Sequence, residues 1–236
     1  MATATLAQPD QPGLRAIAPA WHTAVILLVV FGLSLLGARQ HGLPSIGHGR
    51  AAAYLSVIAV EWVLTAFIWI GIRGRGMRLG ELIGGSWPSV RAVLRDLGIA
   101  VLFLIASHLV LALLGYLLKV TPSPGVRSLF PDGPTEVVLY LMLSLTAGIC
   151  EEIIFRGYLQ RQFAALTKST AAGLMLQGVA FGLAHGYQGT KYMCVIAVYG
   201  CLFGLLVYWR RSLRPGMTAH FVQDAIGGLV GRHFLK

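Results

Sequence analysis

"EVVLYLMLSLTAGICEEIIFRGYLQ" runs from Glu136 to Gln160. Residues 137–149 carry no charge. Two adjacent carboxylates, Glu151 and Glu152, follow at once, and Arg156 stands one helical turn beyond them. The chain has only nine acidic residues in 236, so placing two of them side by side after an apolar run demands a reason. An ionised acid at a bilayer centre costs about 2.5–3.5 kcal/mol to insert. Such a pair therefore needs partners or a function.

That the run sits in a membrane follows from composition. Hydrophobic residues make up 56% of the chain and charged residues 12%, with a mean hydropathy of +0.71. A soluble domain carries about 25% charged residues. The pattern predicts an all-α, polytopic transmembrane helical bundle of about seven spans. Residues 1–20, with three prolines, read as a disordered tail. Residues 21–134 read as N-terminal transmembrane helices. Their first apolar run, 24–38, resembles a signal-peptide core but extends back to Ala18 without a clear cleavage site, so it is expected to be retained. Within this region, 73–96 mixes arginines with leucines at helical spacing and predicts an interfacial amphipathic segment. The Pro- and Gly-rich stretch 121–134 predicts a loop. Four helices are expected after it, at about 135–165, 169–187, 192–209 and 216–232, so that 135–232 forms a second unit.

The net charge of +10 raises nucleic acid as a partner. The basic residues lie between apolar runs, however, where Lys and Arg set topology, and no basic face interleaved with aromatics accompanies them. Of the 19, twelve fall on one side and seven on the other, a bias toward an N-terminus in the cytoplasm. No nucleic-acid partner is expected; the expected partners are the lipid bilayer and a peptide or membrane-protein substrate. The three cysteines include no CxxC pair and read as buried free thiols.

Helical spacing organises the polar residues of the second unit. Glu152 and Arg156 stand at i, i+4 with the acid first, the favourable order for an ion pair. Glu151 points about 100° away on an α-helix and is left to face something else. Phe181 and His185 share a helix face, as do His220 and Asp224. The turn between the first two of these helices falls near Thr167, so Glu151 and His185 sit at nearly equal depth, roughly 24–27 Å from it. His220, only five residues past Pro215, reaches that depth only if 210–215 is drawn into the membrane. In the first unit, Glu61 and His108 each interrupt an apolar run and are expected to pair with each other.

These residues resemble a known family. E-E-x-x-x-R at Glu151–Arg156, F-x-x-x-H at Phe181–His185 and H-x-x-x-D at His220–Asp224, in that order on successive helices, are similar to the motifs of the CAAX-protease and bacteriocin-processing (CPBP, or Abi) intramembrane endopeptidases, which include the type II CAAX prenyl endopeptidases. The family often has Asn where this chain has Asp224. The resemblance implies an intramembrane endopeptidase in a membrane, a bacterial inner membrane being the expected one. It implies Glu151 as general base, His185 and His220 as groups that orient water or donate to the oxyanion, Asp224 as the orienting group of His220, and Glu152 with Arg156 as supports. The same residues offer a second chemistry. Glu151, His185 and His220 are two histidines and a carboxylate, the ligand set of catalytic zinc sites. Both chemistries stand open on spacing alone, as does a non-proteolytic protein of the same fold, such as a bacteriocin-immunity or scaffolding protein. A proton-coupled transporter would also use intramembrane Glu and His, but no inverted repeat is visible.

Overall fold

The computed structural model of the chain describes residues 15–234. Among them it is all-helical. Helix α1 spans Ala20–Gln40, α2 Arg50–Arg73, α3 Leu79–Ile83, α4 Val90–Leu117, α5 Pro124–Arg127 and α6 Gly133–Glu151. A π-helical segment, Glu152–Leu159, continues α6 into α7, Gln160–Thr167. Then come α8 Thr170–Ala184, a 3-10 turn Gly186–Gln188, α9 Thr190–Arg210 and α10 Arg214–Phe234.

Five helices are long and apolar enough to cross a membrane: α1, α2, α4, α9 and the continuous rod Gly133–Thr167, which is 35 residues long. The sequence led to an expectation of about seven. Of the two remaining candidates, α8 is apolar but has 15 residues, short of the roughly 20 that a bilayer core requires. Helix α10 has 21 residues but carries His220, Gln223, Asp224 and Arg232. Helix α8 packs on α7 and α9, and α10 on α6 and α4. Helix α4 is the opposite case. Val101, Leu102, Ile105, Leu109 and Leu113 along it are all exposed, as a lipid-facing row would be.

Two boundaries depart from the expected ones. The stretch 73–96 is not one segment: 79–83 forms α3, and 90–96 is the first two turns of α4, started by Ser89 whose Oγ accepts from Ala92 N. At the other end of the chain, residues 1–14 of the expected tail lie outside the described residues, while Ile17 and Ala18 are buried. The amide side chain of Gln162 holds them, accepting from Ile17 N at 2.7 Å and donating to Ala18 O at 3.0 Å. The cysteines are free, and of the three only Cys150 is buried.

The centre of the molecule is the π-helical segment. Glu-Ile-Ile-Phe-Arg-Gly-Tyr-Leu is apolar on every face apart from Glu152 and Arg156, and all eight residues are buried. A helix apolar all round has no solvent side and needs neighbours on every side. Here α2, α3, α7, α8 and α9 surround it. Helices α8 and α9 come especially close because glycine faces glycine: a Cβ on Gly200 would lie 2.9 Å from Gly178 Cα.

Candidate active site

The rod ends its α-helical part at Glu151 and enters the π-helix at Glu152. An i→i+5 backbone turn widens the helix, and such insertions concentrate at functional sites. Just ahead of it, Glu151 and Glu152 keep αR backbone angles, and yet both carboxylates reach the same imidazole, although an α-helix separates them by about 100°. Glu152 Oε1 accepts from His220 Nδ1 at 3.1 Å, and Glu151 Oε2 lies 3.6 Å from His220 Nε2.

The expected pair of Glu152 with Arg156 is present, with Arg156 Nη1 at 3.0 Å from Glu152 Oε1 and both side chains fully buried. The contact is an ion pair rather than a directed hydrogen bond, since no guanidinium nitrogen of Arg156 meets hydrogen-bond geometry. Aromatic faces hold the cation instead. Its Cζ sits 4.0 Å from the Phe181 ring centroid and 4.8 Å from that of Phe203. A planar, weakly hydrated guanidinium tolerates this better than an ammonium would. Phe181 thus touches Arg156 and, edge to face, His185 at 4.8 Å and His220 at 5.9 Å.

His185 closes α8. Its Nδ1 lies 2.8 Å from Phe181 O. A carbonyl only accepts, so Nδ1 carries the proton and the neutral ring keeps its lone pair on Nε2. The titratable groups that act on the ring are Glu151, His220 and Arg156. The hairpin argument is met: α7 ends at Lys168, α8 starts after Ser169, and Glu151 and His185 line one cavity.

His220 reaches the same place with residues 212–213 packed against the end of α3, while Arg211 beside them is exposed. Ser212 and Leu213 are buried, and Leu213 N donates to Ile83 O at 2.9 Å. Helix α10 then lies directly on α6. A Cβ on Gly148 would stand 2.9 Å from Met217 O, and one on Gly216 2.9 Å from Glu152 Oε2, so glycine is needed at both. Asp224 stands one turn past His220, with its Oδ2 at 3.7 Å from Nε2 and its side chain about a third exposed. Both nitrogens of His220 therefore face carboxylate oxygens, and only the doubly protonated ring offers N–H to both.

The cavity, of about 240 Å³, lies between α1, α2 and the Glu151–His185 wall, and is otherwise lined mainly by aliphatic side chains such as Leu33, Leu64 and Ile154. Glu61 of α2 lines it too. The expected Glu61–His108 pair is absent: His108 is exposed, its Nδ1 bonded to Leu104 O of its own helix at 2.7 Å. Glu61 instead has Glu151 as its foremost charged neighbour. The acid in the α2 run was visible in the sequence; the direction it faces was not.

The fit to zinc is poor. Among the described residues no three His, Cys, Asp or Glu side chains converge as ligands to one ion. In His220, one of the three expected ligands, Nδ1 is held by Glu152, and Nε2 stands 3.6 Å from Glu151 Oε2 and 3.7 Å from Asp224 Oδ2.

Comparison with known proteins bears on the same segment. An uncharacterized protein of Bacillus subtilis (strain 168), YpbD, is 33% identical over 88 residues, which are 36% of this chain and 42% of that protein. This chain thus spans less than half the length of that curated relative. No solved structure matches. The family model described as "Type II CAAX prenyl endopeptidase Rce1-like" matches residues 133–226. That match covers the helical unit that carries Glu151, His185, His220 and Asp224, and makes it similar to the Rce1-like type II CAAX prenyl endopeptidases.

Proposed function

We propose that the protein is an intramembrane endopeptidase that hydrolyses a peptide bond with a water molecule activated by Glu151 and His185. The observation that carries this reading is the division of labour between the two histidines. His185 offers a bare Nε2, an acceptor, beside the Glu151 carboxylate. His220, surrounded by acceptors, offers N–H. Peptide hydrolysis needs both kinds of group: acceptors for the protons of the attacking water, and a donor for the oxyanion.

The steps follow from these placements. Water bound in the cavity gives a proton to Glu151 while its oxygen bonds to the carbonyl carbon. His220 Nε2–H donates to the resulting oxyanion. The C–N bond then breaks as Glu151 passes its proton to the leaving nitrogen. Glu152 fixes the orientation of His220 through Nδ1, and Arg156 balances Glu152. Asp224, about a third exposed, biases His220 through charge. No step uses a metal ion.

The apolar lining suits a substrate segment that lies in or next to the bilayer: a lipidated C-terminal peptide, a secreted peptide precursor or a stretch of a membrane protein. The test is incubation of the purified protein and its Glu151→Gln form with a panel of such peptides, with products identified by mass. Cleavage by the parent and none by the variant supports the reading; equal products from both would overturn it.

A further inference from the structure

One end of the bundle carries more positive charge than its acids balance. Arg73, Arg75 and Arg78 run from the end of α2 to the start of α3, Arg161 lies on α7, and Arg211 follows α9. Among the described residues none of these five forms an ion pair. Of the acids at that end, Asp96 is already shared by Arg95, Arg210 and Arg214. Glu81 is exposed and joins no ion pair.

The fold draws two of these arginines to one edge of α3. Arg161 Nη2 donates to Leu82 O at 3.3 Å. Two residues on, the backbone of Arg211 lies so close to Gly84 that a Cβ there would stand 2.7 Å from Arg211 O. Arg211 is exposed and Arg161 is half-buried. The charged group that acts on Arg161 is Arg211, a second cation. Like charges at one edge repel, and an anion set between them turns the repulsion into attraction. Aromatic side chains fix the depth of this edge. Trp69, Tyr208 and Trp209 are exposed at the same end, with Arg73, Arg211 and Arg210 over their rings at 5.4, 5.8 and 5.5 Å. Exposed Trp and Tyr mark the level of the lipid headgroups, where the abundant anion is a lipid phosphate.

We infer that the edge of α3 at residues 82–84, with Arg161 and Arg211, is a binding site for the headgroup of an anionic phospholipid. The same edge holds the chain that leads into α10. Leu213 N donates to Ile83 O at 2.9 Å, and Ser212 Oγ to the same carbonyl at 3.3 Å. A headgroup that joins α3, α7 and this turn therefore stabilises the folded bundle. The inference does not depend on proteolysis.

The test follows thermal unfolding of the full-length protein in phosphatidylcholine nanodiscs that carry increasing fractions of phosphatidylglycerol. A ligand that binds the folded state alone raises the midpoint, and the fraction that gives half of the rise reports its apparent affinity. The parent is expected to gain stability with phosphatidylglycerol. Arg211→Asn keeps a residue type that tolerates the left-handed backbone there, at φ 54°. It is expected to need about fivefold more phosphatidylglycerol, the worth of one basic residue at an anionic surface. Arg161→Gln is expected to act likewise, and Arg161→Lys to restore part of the response. Arg211 is exposed, so Arg211→Asn decides the matter where the glutamine form does not fold. Arg39→Gln, at the opposite end of α1, is expected to behave as the parent. A parent that does not respond to phosphatidylglycerol overturns the inference, as does a parental response in Arg211→Asn. An equal weakening in Arg39→Gln reduces the effect to general surface charge and also overturns it. Inorganic phosphate that reproduces the full rise in pure phosphatidylcholine assigns the site to a free anion and overturns the lipid.

Discussion

Two buried acidic clusters in this molecule invite comparison. One surrounds Asp96 near the start of α4. Its Oδ2 accepts from Trp87 Nε1 at 3.0 Å, its Oδ1 from Arg210 at 2.9 Å, and Arg214 Nε stands 3.7 Å away. The acid ties α4 to the end of α9 and the beginning of α10, and both of its oxygens are engaged. The other cluster is Glu61, Glu151 and Glu152 with His220 and Arg156. There one oxygen of each glutamate is buried and unpartnered. A buried acid that only joins helices can saturate its lone pairs, because nothing else must bind there. An acid that must receive a substrate or a water keeps a lone pair open and tolerates the cost. Burial and charge do not distinguish the two clusters; unspent hydrogen-bonding capacity does.

The comparison breaks most readily at Glu151. Glu151→Gln should lower cleavage by about 10²–10⁴-fold, the usual contribution of a positioned base, with an unchanged melting temperature. Intact activity on a quantified peptide assay would put Glu151 with Asp96 among the structural acids. Glu152→Gln should act on both scales. It leaves Arg156 without its counter-charge and weakens the hold on His220, and removing one partner of a buried pair costs about 3–5 kcal/mol. Thermal unfolding in detergent should show a clear drop in midpoint, with cleavage also lost.

Asp96→Asn sharpens the contrast from the other side. Hydrogen bonds to charged groups contribute about 1.5–3 kcal/mol each, so the midpoint should fall while kcat and KM stay at parental values. A kcat change without a stability change would show that the α4–α9–α10 junction reaches the chemistry. Asp224→Asn should have the smallest effect. At 3.7 Å and partly exposed, Asp224 influences His220 only by screened charge, so activity should remain within about tenfold of the parent. A complete loss would place Asp224 in direct contact with the reacting atoms.

Much of this was legible before the structure. Glu152 and Arg156 at i, i+4 form their ion pair because one helical turn separates them in any helix near that pitch. Glu151 and His185 share a cavity because a hairpin of straight helices preserves depth. Composition pointed to a membrane, where the backbone must be satisfied internally, and apolar runs of about 20 residues made helices the way to do it. Local spacing and composition were enough for each of these.

What only tertiary structure decided has a common physical cause: it depends on which face of one helix meets another. The π-helical turn after Glu152 arises in a fully buried segment and has no periodicity signal of its own, and the meeting of two adjacent acids with one imidazole depends on where α10 places His220. The burial of Ser212 and Leu213, which carries His220 to the site, depends on the backbone of α3, some 130 residues earlier. Glu61 could be seen in sequence as an acid in an apolar run, but a single charge on a uniformly hydrophobic helix does not define a face. Packing of α2 on α6 gave it Glu151, rather than His108, as its foremost charged neighbour. Sequence thus determined which residues had to find partners, because the bilayer penalises each unpaired charge; the fold alone determined which partners they found.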